Sequence, residues 1–383
     1  MNPFGIRENK KVRIFNIEYH FFFNPSLKVL LCFFLFSVSP LYAQENFNLE
    51  IVNVDPRQFN PLVHEQAKIQ FKSERDGQAF VRIYDRRAYQ VREIFIEHMT
   101  ANEVVLAAWN GRDDQGRLVA NEAYFFTIEA TDIRGNIVEY SPVQSTLNRS
   151  IPMNVNYDTD NKKLSFSVEQ DGIVDIRYGA ADGGPLLSKL IEWKPFLRGQ
   201  YSIDWDGWDA SGVVSVNSIP GHHFYSQLVA LPEYSLFTFG NPDDDQIYSL
   251  AYPGDSLKLI DSTRLTDRLY SQANVFPYKN LSPIFDFSFN TVIEKNEDIP
   301  IVSDKFGITI RLNESVKQRV TESRYEILVF VDFKFVTEIE EGRSPARMNI
   351  NTSALASGEH ILTVNVVTLQ GGLETLSKRF VIK

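Results

Sequence analysis

A short turn signature occurs twice in this chain. Trp109-Asn110-Gly111-Arg112-Asp113, with Gly116 beyond it, recurs as Trp205-Asp206-Gly207-Trp208-Asp209 with Gly212. A Trp followed by an Asx-Gly pair marks the end of a strand: the ring goes under the sheet and the Asx and Gly supply the turn. The repetition continues on both sides. Asn121–Ala130 lines up with Gly221–Ala230 after an insertion, placing Tyr124 on Phe224 and Ala130 on Ala230. Upstream, Asp76-Gly77 before Phe80-Val81-Arg82-Ile83 parallels Asp171-Gly172 before Ile173-Val174-Asp175-Ile176. Two tandem copies of one domain account for this.

Around the repeat the apolar residues alternate. Ala67-Lys68-Ile69-Gln70-Phe71 and Phe80-Val81-Arg82-Ile83-Tyr84 have the period that buries one face of a strand, and Asp76-Gly77, Asp113 to Gly116 and Arg134-Gly135-Asn136 punctuate them as turns. Short strands at this spacing imply antiparallel β-sandwiches, an all-β chain. With 383 residues, of which 43% are hydrophobic and 13% aromatic, there is enough apolar material for two to four separate cores.

The segment Phe59-Asn60-Pro61, then Val81-Arg82-Ile83-Tyr84-Asp85, Val91-Arg92, Trp109 to Asp113, Gly116, Val119-Ala120 and Tyr124 resembles the immunoglobulin-like domain of the FlgD type. That domain is named for the flagellar hook-capping protein and also serves as an accessory module in exported bacterial proteins. The second copy, residues 149–232, is a more divergent match. Arg87-Ala88-Tyr89 and Glu122 stand where the family has glycines, which puts those turns in question and leaves the fold intact. The resemblance implies tandem immunoglobulin-like sandwiches at residues 44–148 and 149–232. Residues 281–383 look like a further bacterial immunoglobulin-like type: Tyr325 to Asp332 ends a strand in Val-Asp, and Gly358-Glu359-His360 precedes the Leu362-Thr363-Val364 strand. Residues 233–280 remain as a connecting region. Within it, Leu257, Ile260, Leu265 and Leu269 admit a short amphipathic helix between the second and third units.

Residues 1–43 read as an export signal: Lys10, Lys11, Arg13 and Lys28 precede an apolar run from Val29 to Val38, then Pro40 and Leu41-Tyr42-Ala43. Cleavage after Ala43 would leave Gln44 first and no transmembrane segment; an uncleaved anchor is the alternative. Cleavage removes five basic and two acidic side chains, taking the formal net charge from −10 to −13. Such acidity repels phosphate backbones, so nucleic acid is not an expected partner. The single cysteine, Cys32, lies inside the leader, so the mature cores hold without disulfides. The expected setting is periplasmic, outer-surface or extracellular, and the expected partner is a protein or polysaccharide at the cell envelope.

Chemistry is sparse. His20, His64, His98, His222, His223 and His360 fall in no zinc-protease, nucleophile-elbow or phosphate-loop pattern, and no catalytic residues are nominated. Asp204, Asp206 and Asp209, or Asp243, Asp244 and Asp245, are weak calcium candidates without the spacing of a helix-loop-helix calcium site, and read better as turn formers. Trp109, Gly111, Asp113, Gly116 and their counterparts Trp205, Gly207, Asp209, Gly212 are read as structural. The two tryptophans are expected to be equivalent, buried strand-end residues, each in a separately folding sandwich. Trp208 replaces Arg112 at a solvent-facing turn position and is the one candidate ligand-binding residue, suited to stacking on a sugar. The functional expectation is a non-catalytic protein whose modules bind or space partners, with carbohydrate binding through exposed aromatics as the alternative.

Overall fold

The computed structural model describes residues 47–85, 89–142, 150–219, 221–241, 282–369 and 371–383. The expected export signal at residues 1–43, the expected helix around Leu257 to Leu269, Asp243 to Asp245, and Arg87-Ala88 lie outside these residues.

Three pairs of sheets follow one another. In the first, Leu49–Asp55, Ala67–Ser73 and Val105–Trp109 form one sheet, facing a second built on Gln90–Met99, Gly77–Asp85 and Ala123–Asp132. In the second, Val155–Asp158, Lys163–Val168 and Gly199–Asp204 face Leu186–Phe196, Gly172–Ala180, His222–Ala230 and the short Ser150–Ile151. In the third, Phe285–Phe289, Lys305–Leu312 and Ala346–Asn351 face a six-stranded sheet centred on Leu373–Ile382, Gly358–Thr368 and Tyr325–Val331. The molecule is an all-β chain of antiparallel sandwiches. Alternation is the cause: in Ala67–Ser73 the buried positions are Ala67, Ile69, Phe71 and Ser73, and the intervening lysines and glutamine stay nearer solvent.

The two copies share a glycine for a steric reason. A Cβ on Gly77 would come within 2.1 Å of the Thr131 carbonyl oxygen, and one on Gly172 within 2.7 Å of that of Val229. Gly77 sits opposite Asp132 and Gly172 opposite Ala230. Beyond the glycines the frame is that of the sequence alignment: Val81 faces Ile128 as Val174 faces Leu228, and Trp109 packs on Tyr124 as Trp205 packs on Phe224, the first copy carrying two more residues between its glycine and that stretch.

Among the described residues one α-helix, Glu314–Glu322, spans the gap between two strands of the third sandwich. Asn313 starts it, its Oδ1 accepting from the Ser315 N–H at 2.9 Å, and it seats Val316 and Val320, one turn apart, in the core. Two apolar residues make too thin a stripe to announce a helix in sequence.

The sandwiches are joined by direct bonds. Leu236–Thr238, from the stretch set aside as connecting, is a strand of the first sandwich, paired antiparallel with Tyr124 and Ala123 and parallel with Gln58–Phe59. Phe237 on it shares a buried cluster with Ala123 of the first sandwich and Ile173, Val229 and Leu231 of the second, and Arg57 pairs with Asp171 across the same line. At the next junction the Asn365 amide acts as a surrogate strand. Its Oδ1 accepts from the Leu186 N–H at 2.9 Å and its Nδ2 donates to the Leu186 carbonyl at 2.7 Å.

Candidate functional site

The tryptophan turns are the feature common to both copies, and most of their hydrogen bonds recur, the second turn being one residue longer at its close. The Trp109 indole N–H donates to the Arg112 carbonyl at 2.9 Å, and that of Trp205 to the Trp208 carbonyl at 3.0 Å. Gly111 (φ 68°) and Gly207 (φ 82°) are left-handed, as are Gly116 and Gly212. In both copies the Gly at the turn's close donates its N–H to the Asp carbonyl at 3.0 Å. The Asp113 carboxylate accepts the Gln115 and Arg117 N–H groups, and that of Asp209 accepts those of Val213 and Val214. Satisfying two backbone donors with one side chain is what fixes the Asp at this position. Asp204 and Asp206 are exposed, and Asp206 is spent on an Asx turn to the Trp208 N–H.

The tryptophans themselves differ. Trp109 is 1% exposed, packed edge-on between Phe59 and Tyr124. Trp205 is only half-buried, beneath Tyr157, Tyr178 and Phe224. Equivalence holds for the hydrogen bonds and not for burial. Trp208 is 41% exposed on a turn whose backbone is bonded on both sides, so its ring is presented on a fixed base.

The second turn has a further use. Ser211, inside it, accepts the Ser377 N–H of the third sandwich at 2.7 Å, and Arg177 of the second sandwich donates to the Gly371 carbonyl of the third at 2.6 Å. Both turns also fold back on their own sandwich, Asp114 donating its N–H to the Val91 carbonyl and Ala210 to that of Leu187, while Asp114 also accepts the N–H of Glu93. One turn design thus closes a sandwich in both copies and in the second also receives a neighbour.

Between the first and second sandwiches lies a cleft of about 490 Å³, with Trp193, Phe196, Tyr201, Phe237 and Phe239 along its walls. Its polar residues are largely committed. Asn121 exchanges hydrogen bonds with the Asn241 backbone, Thr238 donates to the Ala120 carbonyl, and Tyr201 to that of Leu197. What the cleft offers is aromatic surface, with Gln58 and Lys194 at its rim. Trp193 stands in a bulge, two residues of its strand facing Asp175 alone, at φ 45°.

Sequence reasoning did not single out Asn365, Phe237 or Trp193. Asn365 was visible as one amide inside the apolar run from Leu362 to Val367, where a buried polar group needs partners. Phe237 and Trp193 gave no such signal, because their roles are set by a neighbouring sandwich. Among the described residues no group of three or more His, Cys, Asp or Glu is placed to hold a metal ion, and no helix is long and apolar enough to cross a membrane.

No known family profile matches the chain, and no curated protein matches it. Among solved structures it is similar to a tetra-tandem repeat from the extending region of a large adhesion protein, at 13% identity over 88% of this chain and 74% of that one, with a TM-score of 0.20. It is also similar to the central fibronectin-III array of RIM-binding protein (10% identity, 88% and 96% covered, TM-score 0.16). A third match is to fibronectin(III)-like modules of Clostridium thermocellum CbhA (10% identity, 61% and 94% covered, TM-score 0.19). Scores this low leave the fold to be read from the sheets themselves, which are those of successive β-sandwiches.

Proposed function

We propose that this chain is a non-catalytic structural and interaction protein of the cell surface or the secreted fraction. In this reading its sandwiches hold binding surfaces at a set spacing for a protein or polysaccharide at the cell envelope. The observation that carries it is the way the modules are joined. A strand from beyond the second sandwich is built into the first, and a side-chain amide of the third completes a backbone pair on the second. A chain of independent domains needs no such bonds; one that must fix distance and angle does. Small-angle scattering tests this: one fixed arrangement should fit the data at low and high salt alike. A best fit by modules rotating freely about two hinges would overturn it. Export is part of the same proposal, and the mature N-terminus determined by sequencing should be Gln44.

A second reading rests on Trp208, a half-exposed indole on a braced turn. It stacks on the face of a neutral sugar, since the acidic protein disfavours anionic glycans. A glycan array probed with the native chain and with Trp208→Ala separates the readings: binding that the substitution removes supports the lectin role, and no binding by either leaves the scaffold.

A further inference from the structure

The junction of the second and third sandwiches carries two titratable sites. At the first, His360 has an acceptor at each ring nitrogen: Asp332 Oδ2 is 2.6 Å from Nδ1 and the Ala356 carbonyl 2.8 Å from Nε2. A carboxylate and a carbonyl only accept, so both contacts are hydrogen bonds only when the ring is an imidazolium. Asp332 also takes the Ile361 N–H at 3.0 Å and, with Phe333, makes a left-handed turn (φ 47° and 66°). That turn is one of the parts of the third sandwich that dock on the second. Phe333 packs on the Tyr178, Leu187 and Val216 cluster of the second sandwich, and its carbonyl oxygen lies 3.0 Å from where a Cβ on Gly184 would stand. Other charges nearby are engaged elsewhere: Glu359 with Arg379, and Lys378 with Asp286.

At the second site three carboxylates meet two cations. Asp175 is buried 2.7 Å from Arg177, and its other oxygen has no partner. Glu192 and Glu374, one from each sandwich, share Lys189 at 3.2 Å, with Ser282 bonded to both Lys189 and Glu192. Arg177 reaches across to Gly371. One negative charge in excess, with Asp175 itself buried, favours a neutral acid there over a third carboxylate.

We propose that this junction is proton-linked: docking of the third sandwich on the second takes up a proton at the Asp175 cluster and keeps one on His360, so that acid tightens the junction and alkali loosens it. The electrostatics run the same way at both sites. Burial pushes the Asp175 carboxyl up, Arg177 draws it back and Glu192 pushes it up again, to about 6. Against burial, which lowers it, the bonds to Asp332 and Ala356 and the Asp332 charge hold His360 above the ordinary imidazole value. Both values are raised in the joined state. The stabilisation at Asp175 is therefore complete in the ordinary carboxylate range and lost as pH rises to about 6, and that at His360 is lost as pH rises from about 6.5 through its raised value.

Two amides report the junction directly: that of Leu186, which donates to Asn365, and that of Ser377, which donates to Ser211. Hydrogen exchange of the whole chain should show their protection factors falling about tenfold between about pH 5 and about pH 9, while that of Val364 in the third core stays within about twofold. His360→Gln should flatten the alkaline limb and Asp175→Asn the acidic one. Junction protection that is constant with pH overturns the proposal. So does junction protection that falls in step with Val364, or limbs unchanged in both variants. Should either variant fail to fold, the native ratio of junction to core protection decides.

Discussion

Trp109 and Trp205 make the same hydrogen bond at the same point of the same turn, yet they stand in different surroundings, and a substitution should feel the difference. Trp109→Ala opens a cavity between Phe59, Tyr124 and the sheet and should cost about 3–5 kcal/mol, while the half-buried Trp205 should cost about 1–3 kcal/mol when replaced by Ala. Urea denaturation of the two variants measures both; equal losses would contradict the burial difference. The turn was legible in sequence because its geometry is local: an Asp that accepts two N–H groups within five residues and a Gly with φ above zero are demanded by neighbours along the chain. Burial of the ring was not legible, because the cover over Trp205 comes from Tyr157, Tyr178 and Phe224, on strands far from it in sequence.

Among the elements, the strands with clean alternation declared themselves, and those that serve a junction did not. Leu236–Thr238 is three residues long, too short for a period to show, and its partners Tyr124 and Ala123 lie more than a hundred residues earlier. The Leu186–Phe196 strand carries its bulge at Trp193 because a buried carboxylate, Asp175, waits for the Trp193 N–H; nothing in the run itself marks it. The Asn365 pair with Leu186 is the element-scale bond easiest to remove. Asn365→Ala strands an N–H and leaves the Leu186 carbonyl to Thr375 alone, and should cost about 1–3 kcal/mol of the coupling between the second and third sandwiches. A double-mutant cycle with Ser211→Ala reads that coupling as non-additivity, whereas strict additivity would place the two bonds in independent interfaces.

For the whole molecule, the shared cluster of Ala123, Ile173, Val229, Leu231 and Phe237 changes what the repeat alone suggests. Tandem copies read from sequence should melt one by one; two sandwiches with a common apolar seam should melt together. Calorimetry of the native chain should show the first and second sandwiches in one transition, and Trp109→Ala should lower that transition as a unit. Two separate peaks for these sandwiches would mean that the seam contributes little.

The strand at Leu236–Thr238 also sets an order in time. The first sandwich lacks a sheet strand until the whole second sandwich has been made, since that strand follows it in the chain. A chain that crosses a membrane from its N-terminus would therefore present Ala123 and Tyr124 at an open edge until residue 238 emerges, and only then lock both modules at once. The first repeat is for the same reason not an exchangeable cassette. Expressed alone as residues 44–148, it should self-associate through that edge, and adding back a peptide of residues 233–241 should return it to a monomer on a sizing column.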